Sequence, residues 1–113
     1  MPSSVDGFLP LTHLLYVVLL SLAEEPSHPY ELVKRIRERS AGRIDPGTGS
    51  FYSVLSQAER QGLIREHGNH ADTRRRVYEL APLGRRVLAA EAERLADQLK
   101  ATRAALVTDK KRS

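Results

Sequence analysis

Residues 48–64 read TGSFYSVLSQAERQGLI, and this stretch decides the fold. Its apolar side chains recur at the i, i+3, i+4 and i+7 spacing of a helix that buries one face: Phe51, Val54, Leu55 and Ala58. Thr48 is placed to cap the start of this helix, and Gly62 suits the left-handed residue just beyond its end. The other face carries hydroxyl and amide side chains close to the helix start, so we expect it to contact a partner.

An apolar stretch upstream predicts a buried first helix. We expect this helix to open at Pro10, with Thr12 in its first turn, and to include the nearly continuous apolar residues 14–23. The stretch is too short to span a bilayer, which needs about 20 residues. A secretion signal would carry Lys or Arg before its apolar run, and none precedes this one. Apolar side chains on almost every face imply that part of the helix, including Leu14 and Val18, is buried against a second subunit.

A second helix is predicted to start with Ser27 as its N-cap and to end at Gly42. Tyr30, Val33, Ile36 and Ser40 share one face of it, with Leu32 near the edge, so we expect this face to point inward. The remaining positions are largely basic.

Two short strands are predicted after the third helix, over residues 63–67 and 77–80, because apolar and polar side chains alternate there. The polar residues 68–76 between them form the tip of a hairpin. Arg76 adjoins the second strand and is a candidate to pair with Glu66 across the hairpin.

A long last helix is predicted to begin at Pro82 and to extend to residue 107. One stripe of it has the 4, 3, 4, 3, 4 spacing of a coiled-coil seam: Leu88, Ala92, Leu95, Leu99, Thr102 and Leu106. Such a helix is about 37 Å long, which a core this small cannot cover, so the seam predicts a homodimer. We therefore assign dimerisation to Leu88, Leu95, Leu99 and Leu106, together with Leu14 and Val18.

The order of elements is that of a winged helix-turn-helix. We predict a mainly α fold with a small β-hairpin, in which a disordered N-terminus (1–8) precedes a DNA-binding domain (9–81). A C-terminal dimerisation helix (82–107) and a frayed basic tail (108–113) follow. In a helix-turn-helix, the third helix enters the major groove by its N-terminal end.

The outer face of that helix has the chemistry needed to contact DNA. Hydroxyl groups bond phosphate oxygens, and Gln can bond adenine through two atoms. The candidate DNA-binding residues on this helix are Thr48, Ser50, Tyr52, Ser53 and Gln57. We read the neighbouring Ser56 and Gln61 as ordinary solvent-exposed residues.

Basic residues supply two further candidate contacts with phosphate. Arg74 and Arg75 lie in the hairpin tip, where a wing meets the backbone or the minor groove. Lys34 and Arg37 lie in the second helix, which crosses the backbone in this class of domain. The whole chain has 18 Lys and Arg against 14 Asp and Glu, a net charge of +4, and this mild excess favours an acidic partner.

Three stretches together resemble the PadR family of bacterial transcriptional regulators: LLYVVLLSLAEEPSHPYELVKRIRERS, GSFYSVLSQAERQGLI and RRVYELAPLGRRVLAAE. The length is similar to that of the short branch, which has a single C-terminal helix. The resemblance implies a homodimeric repressor that binds a palindromic operator and is often released by a small-molecule effector. It also implies that Tyr52 is the recognition-helix tyrosine and that Tyr30 is structural. The chain has no Trp, so the tryptophan stacking of flat aromatic drugs in some relatives is not implied here.

Other functions are weighed against this one. A metal site would rest on His67, His70 and Asp72, which lack a clear further ligand, and we expect no metal or cofactor. The absence of cysteine, of a phosphate-binding Gly motif and of a Ser-His-Asp pattern argues against an enzyme and fits a reducing cytoplasm. The serious alternative is a winged helix that binds another protein without binding DNA.

Overall fold

The computed structural model describes residues 5–68 and 76–112 of the chain. The elements in these ranges are, in order, a 3-10 helix (Asp6–Phe8), α1 (His13–Glu24), α2 (Pro29–Arg39), α3 (Thr48–Arg60), β1 (Ile64–Glu66), β2 (Tyr78–Leu80) and α4 (Pro82–Arg112). This order confirms the predicted mainly α fold with a small β-hairpin. None of the helices in these two ranges combines the length and the apolar composition of a membrane-spanning segment.

The N-terminal segment is more ordered than the sequence suggests. Disorder over residues 1–8 is wrong for residues 5–8, which include the 3-10 helix. Val5 is buried in the core, and Phe8 and Leu9 pack against it. This apolar burial offsets the entropy lost on ordering the segment.

Helix α1 is the central helix and packs against α2, α3 and α4. It begins at His13 rather than at Pro10, because Thr12 has extended backbone angles and its hydroxyl oxygen accepts the Leu15 N–H at 3.3 Å. Val18 is fully buried within its own subunit. Its assignment to a dimer interface is therefore wrong, whereas Leu14 remains half-buried.

The start of α2 differs from the prediction. His28, not Ser27, is the N-cap, because its ring Nδ1 accepts the Tyr30 N–H at 3.1 Å. Ser27 instead exchanges two backbone hydrogen bonds with Tyr78 of β2, each of 2.9 Å. The segment entering α2 is thus joined to the base of the hairpin.

Helix α3 buries the face that its spacing predicts. Phe51, Leu55 and Ala58 are buried and Val54 is half-buried. The N-cap is Gly47 rather than Thr48, since helical geometry already begins at Thr48.

The exit from α3 depends on two glycines. Gly62 has φ +79°, the left-handed conformation predicted for it. After it, β1 pairs antiparallel with β2, so that Ile64 lies opposite Leu80. Helix α4 then starts against this junction, where a Cβ added to Gly84 would lie only 2.0 Å from the Leu63 carbonyl oxygen.

Helix α4 is longer than predicted, since residues 108–112 continue it instead of fraying. Its length is about 46 Å at the α-helical rise per residue. Leu88 packs partly against the core, but further along Leu95, Leu99 and Leu106 are 37%, 50% and 62% exposed. The distal half of the predicted seam is therefore uncovered in the isolated subunit.

A buried carboxylate attaches α4 to the N-terminal segment. Glu91 is 1% exposed, and its Oε2 accepts the Leu11 N–H at 2.7 Å. Its Oε1 accepts a hydrogen bond from Arg94 Nε. The Arg94 guanidinium, assisted by the Leu11 N–H, holds the pKa of Glu91 below its ordinary value despite burial.

We expect Glu91→Gln to lower the free energy of unfolding at pH 7 by about 2 kcal/mol, because the ion pair with Arg94 is lost. The pKa of Glu91 is lower in the folded state than in the unfolded state, so its stabilisation is complete above its ordinary pKa of 4.5. The stabilisation disappears as the pH falls through the lower, folded pKa. Urea unfolding across this range should show wild type and variant converging in acid.

The exposed neighbour provides the control for this prediction. Glu93→Gln removes the same charge from the same helix and should change the free energy of unfolding by less than about 0.5 kcal/mol. Equal stability of wild type and Glu91→Gln at pH 7 would contradict a stabilising role for this carboxylate.

Candidate nucleic-acid interface

The outer face of α3 forms a shallow open groove of about 400 Å³. Its lining side chains are polar or cationic and come from successive turns of one helix: Tyr52, Ser53, Ser56, Gln57 and Arg60. All of them are exposed, as is Ser50. The helix thus presents hydrogen-bonding groups and one positive charge along a single strip, with the open backbone of Gly49 at its N-terminal end.

Tyr52 lines this groove and also contacts the core. Its side chain is 41% exposed, and its ring meets the ring of the fully buried Phe51 edge-on at 5.4 Å. The Tyr52 ring therefore packs against the core through Phe51, and the rest of the side chain faces outward. An aromatic ring restrained in this way presents its hydroxyl at low entropic cost.

A second groove, of about 480 Å³, joins α3 to α2. It brings Tyr52 together with Tyr30, Lys34 and Arg37. Both predicted cations of α2 therefore share a surface with the predicted recognition-helix tyrosine. Arg37 Nε also contacts Asp45 Oδ1 at 2.7 Å, which holds the guanidinium beside the turn into α3.

The inward position predicted for Tyr30 is wrong, since its side chain is 76% exposed and stacks on the His28 ring at 5.3 Å. Leu32 and Ile36 define the buried face of α2. Tyr30 is two residues before Leu32, about 200° away around the helix, and so it faces outward.

Two other basic residues of α2 contact α1 of the same subunit. Arg35 and Arg39 both pair with Glu24 at the end of α1. The Arg39 hydrogen bond, with the positive charges of both arginines, keeps the pKa of Glu24 below its ordinary value. These cations fix α2 on α1, which leaves Lys34 and Arg37 as the outward-facing pair.

Polar and charged side chains face one another at the base of the hairpin. Arg76 Nε lies 3.9 Å from Glu66 Oε2, which confirms their predicted pairing. His67 Nδ1 lies 3.1 Å from Glu79 Oε1, and this contact is the main cause of a lowered Glu79 pKa. Arg74 and Arg75 lie outside the described residues, and so does the side chain of Thr48.

The metal-site alternative depended on residues near the hairpin tip. His70 and Asp72 lie outside the described residues. Among the residues that are described, no three His, Cys, Asp or Glu side chains come together as a metal site.

Sequence comparison assigns this arrangement to a family. Residues 18–90 match the profile of the Transcriptional regulator PadR-like family, which covers α2, α3, the hairpin and the start of α4. The chain belongs to the PadR-like family. Members of this family are transcriptional regulators, so this chain is a PadR-like transcriptional regulator with a winged-helix fold.

Solved structures share the fold of this PadR-like regulator. A transcriptional regulator from Clostridium thermocellum superposes with a TM-score of 0.69 at 22% identity, over 88% of this chain and 94% of that one. A PadR family transcription regulator from Clostridium difficile gives a TM-score of 0.71 at 21% identity, over 84% and 99%.

A curated relative is an uncharacterized 37.1 kDa protein in a Streptomyces fradiae transposon, 35% identical over 80 residues. The match covers 71% of this chain but only 22% of that protein. The PadR-like chain thus spans about a fifth of the length of this relative.

The sequence analysis did not include three polar or charged residues of these grooves among the candidate DNA-binding residues: Tyr30, Ser56 and Arg60. Ser56 and Arg60 are three and seven residues after Ser53, the spacing of one helix face, so this signal was present. Only the position of Leu32 and Ile36 in the core shows that Tyr30 faces outward.

Proposed function

We propose that this PadR-like regulator binds a palindromic operator as a homodimer and represses transcription from the adjacent promoter, with release by a small-molecule effector. The observation that carries the proposal is the outward strip of Tyr52, Ser53 and Gln57 on α3, flanked by exposed cations on the same side of the subunit.

The geometry of α3 suits entry into a major groove. The first N–H groups of a helix have no acceptor within it, so they are free to bond a phosphate. Gly49 adds no side chain there, which allows close approach of a backbone. Thr48, Ser50 and Ser53 would bond phosphate oxygens, and Gln57, about one turn beyond Ser53, would reach an adenine edge.

The cations would fix the orientation of the domain on the duplex. Lys34 and Arg37 of α2 lie beside the strip and Arg60 lies at its C-terminal end, where they would neutralise phosphates. Arg74 and Arg75 of the hairpin tip would add contacts with the adjoining backbone or minor groove.

Two linked DNA-binding domains are needed for a palindrome. The exposed apolar stripe of Leu95, Leu99 and Leu106 supports association through α4, because water contact with these side chains is unfavourable. A two-fold dimer would present its two α3 helices to half-sites about 34 Å apart. We include the half-buried Leu14 and Leu88 in this interface.

The function is tested by selecting bound duplexes from a random DNA pool and then measuring affinity for the selected site against salt concentration. If Lys34, Arg37 and Arg60 of each subunit neutralise one phosphate each, the slope of log affinity against log salt concentration should be about −5. Contacts from Arg74 and Arg75 would make it steeper. Failure to enrich any site, together with a flat salt response, would favour a winged helix that binds another protein.

Tyr52→Ala should lower affinity for the selected operator by about tenfold, because a restrained hydroxyl and its ring are both lost from the strip. The thermal transition and the dimer should be nearly unchanged, since the ring is exposed on one side. Fluorescence polarisation and calorimetry measure the two quantities.

Tyr52→Phe is the matched control, since it keeps the ring packed on Phe51 and removes only the hydroxyl. An intermediate affinity assigns part of the effect to a hydrogen bond with DNA. Global unfolding of Tyr52→Ala would instead identify Tyr52 as a core residue and remove it from the proposed interface.

A further inference from the structure

A half-open cavity of about 260 Å³ lies between the N-terminal segment, α1 and α3. Phe8 and Leu11 contribute to one wall, Leu15 to another, and Val54 and Ala58 to the third. No charged side chain is among the described residues that line it. The lining therefore offers no counter-charge to an ionic ligand, which would lose part of its hydration on binding without an opposite charge in return.

Polar groups are confined to part of the lining. Gln57 and Gln61, one turn apart on α3, each offer an amide that can donate and accept. Thr12 is already engaged as the cap of α1. A ligand with an apolar body and a neutral hydrogen-bonding group would match both parts of this surface.

The wall formed by the N-terminal segment is held in place before any ligand arrives. Within it, Phe8 N–H bonds Val5 O at 3.0 Å and Leu9 N–H bonds Asp6 O at 3.1 Å. Its end is attached to α4 through the hydrogen bond from Leu11 N–H to Glu91. A preformed wall lowers the ordering cost of binding a small molecule.

Gln57 also lines the outer groove of α3. Around the helix it lies between two residues that line the cavity, Val54 and Gln61, and two residues that line the outer groove, Ser53 and Arg60. The same amide can therefore face either the cavity or a partner on the outer strip, and a ligand that holds it would remove it from that strip.

We infer that this cavity is a binding site for an uncharged small molecule with an aromatic or aliphatic body and an amide or hydroxyl group, and that its occupation weakens DNA binding through Gln57. The first part of this inference, that the cavity binds such a molecule, depends only on the cavity and its lining. The regulatory part rests on the proposed function.

The binding part is tested with benzamide and benzoate, which have the same size but differ in charge. Each is titrated into the full-length ¹⁵N-labelled protein while the side-chain amide signals of Gln57 and Gln61 are followed. Benzamide should give saturable shifts, and benzoate should bind about tenfold more weakly or not at all. Absence of saturable shifts with benzamide, or equal binding of the two probes, overturns the site.

Variants locate the binding. Val54→Phe fills the cavity and should abolish the benzamide shifts, whereas Ile44→Phe, a matched change at another half-buried residue outside the cavity, should retain them. Gln61→Ala changes an exposed residue, so it should fold normally and weaken benzamide about threefold. Retained benzamide affinity in a folded Val54→Phe, or in Gln61→Ala if Val54→Phe does not fold, overturns the assignment.

The regulatory part is tested on the selected operator. Saturating benzamide should lower operator affinity at least about threefold in the wild type and leave Gln57→Ala unaffected, because that variant lacks the shared amide. Unchanged wild-type affinity, or an equal loss in Gln57→Ala, overturns the coupling through Gln57 but not the site. If no operator is selected, the proposed function fails, while the benzamide titration still decides the site.

Discussion

Replacing Leu95 and Leu99 together by glutamate is expected to convert the protein to monomers and to abolish stable operator binding. Both side chains project from the part of α4 that extends beyond the core of its own subunit, and they are 37% and 50% exposed. In a dimer seam they would be desolvated, and four buried carboxylates would be strongly unfavourable there. A single DNA-binding domain would then lose the advantage of linkage, about a hundredfold or more in affinity.

Light scattering with size-exclusion chromatography measures the association state, and fluorescence polarisation measures operator affinity. Ala101→Glu with Ala104→Glu is the matched control, because these exposed residues lie on the opposite side of the same helix and the charge change is identical. The control should remain dimeric. If the Leu95/Leu99 variant also remains dimeric, the interface does not involve this stripe.

The second large effect is expected at Gly84, where alanine should lower the free energy of unfolding by about 3 kcal/mol or more. The new Cβ would lie 2.0 Å from the Leu63 carbonyl oxygen and 2.8 Å from the Leu80 side chain. The Leu63 oxygen accepts the Ala81 N–H at 3.0 Å. Relief of the clash would therefore separate the start of α4 from the hairpin and break this hydrogen bond.

Thermal and urea unfolding measure the loss, which should lower Tm by more than about 10 °C. Gly49→Ala is the control, since a Cβ there meets no atom within 4 Å and alanine favours the helix by up to about 1 kcal/mol. Equal stability of Gly84→Ala and wild type would show that α4 can shift away from Leu63 without cost.

Periodicity predicted most of the architecture because it reports which side chains are withdrawn from water. The spacing of Phe51, Leu55 and Ala58 was sufficient to orient α3, and with it the outward position of Tyr52 and Gln57. The alternation around Glu79 likewise predicted the second strand. Both signals are local, so they are present in the sequence before any tertiary contact is known.

The features that were missed depend on contacts between distant parts of the chain. Ser27 is a good capping residue, but its backbone pairs with Tyr78, which leaves His28 to cap α2. Val18 is enclosed by helices of its own subunit. The close approach of Gly84 to Leu63, and the cavity beside Gln57, both require the packed elements to be in place, and no spacing along the chain reports them.

The paired backbone hydrogen bonds between Ser27 and Tyr78 form an isolated β-bridge, so the residue before α2 pairs with the hairpin like a third strand of one residue. These two bonds restrain the base of the hairpin relative to the start of α2. If the protein binds DNA as proposed, adjustment to an imperfect groove falls to the duplex, which must bend or twist to fit. Operators would then be chosen partly for how easily they deform, at base pairs that no side chain reaches.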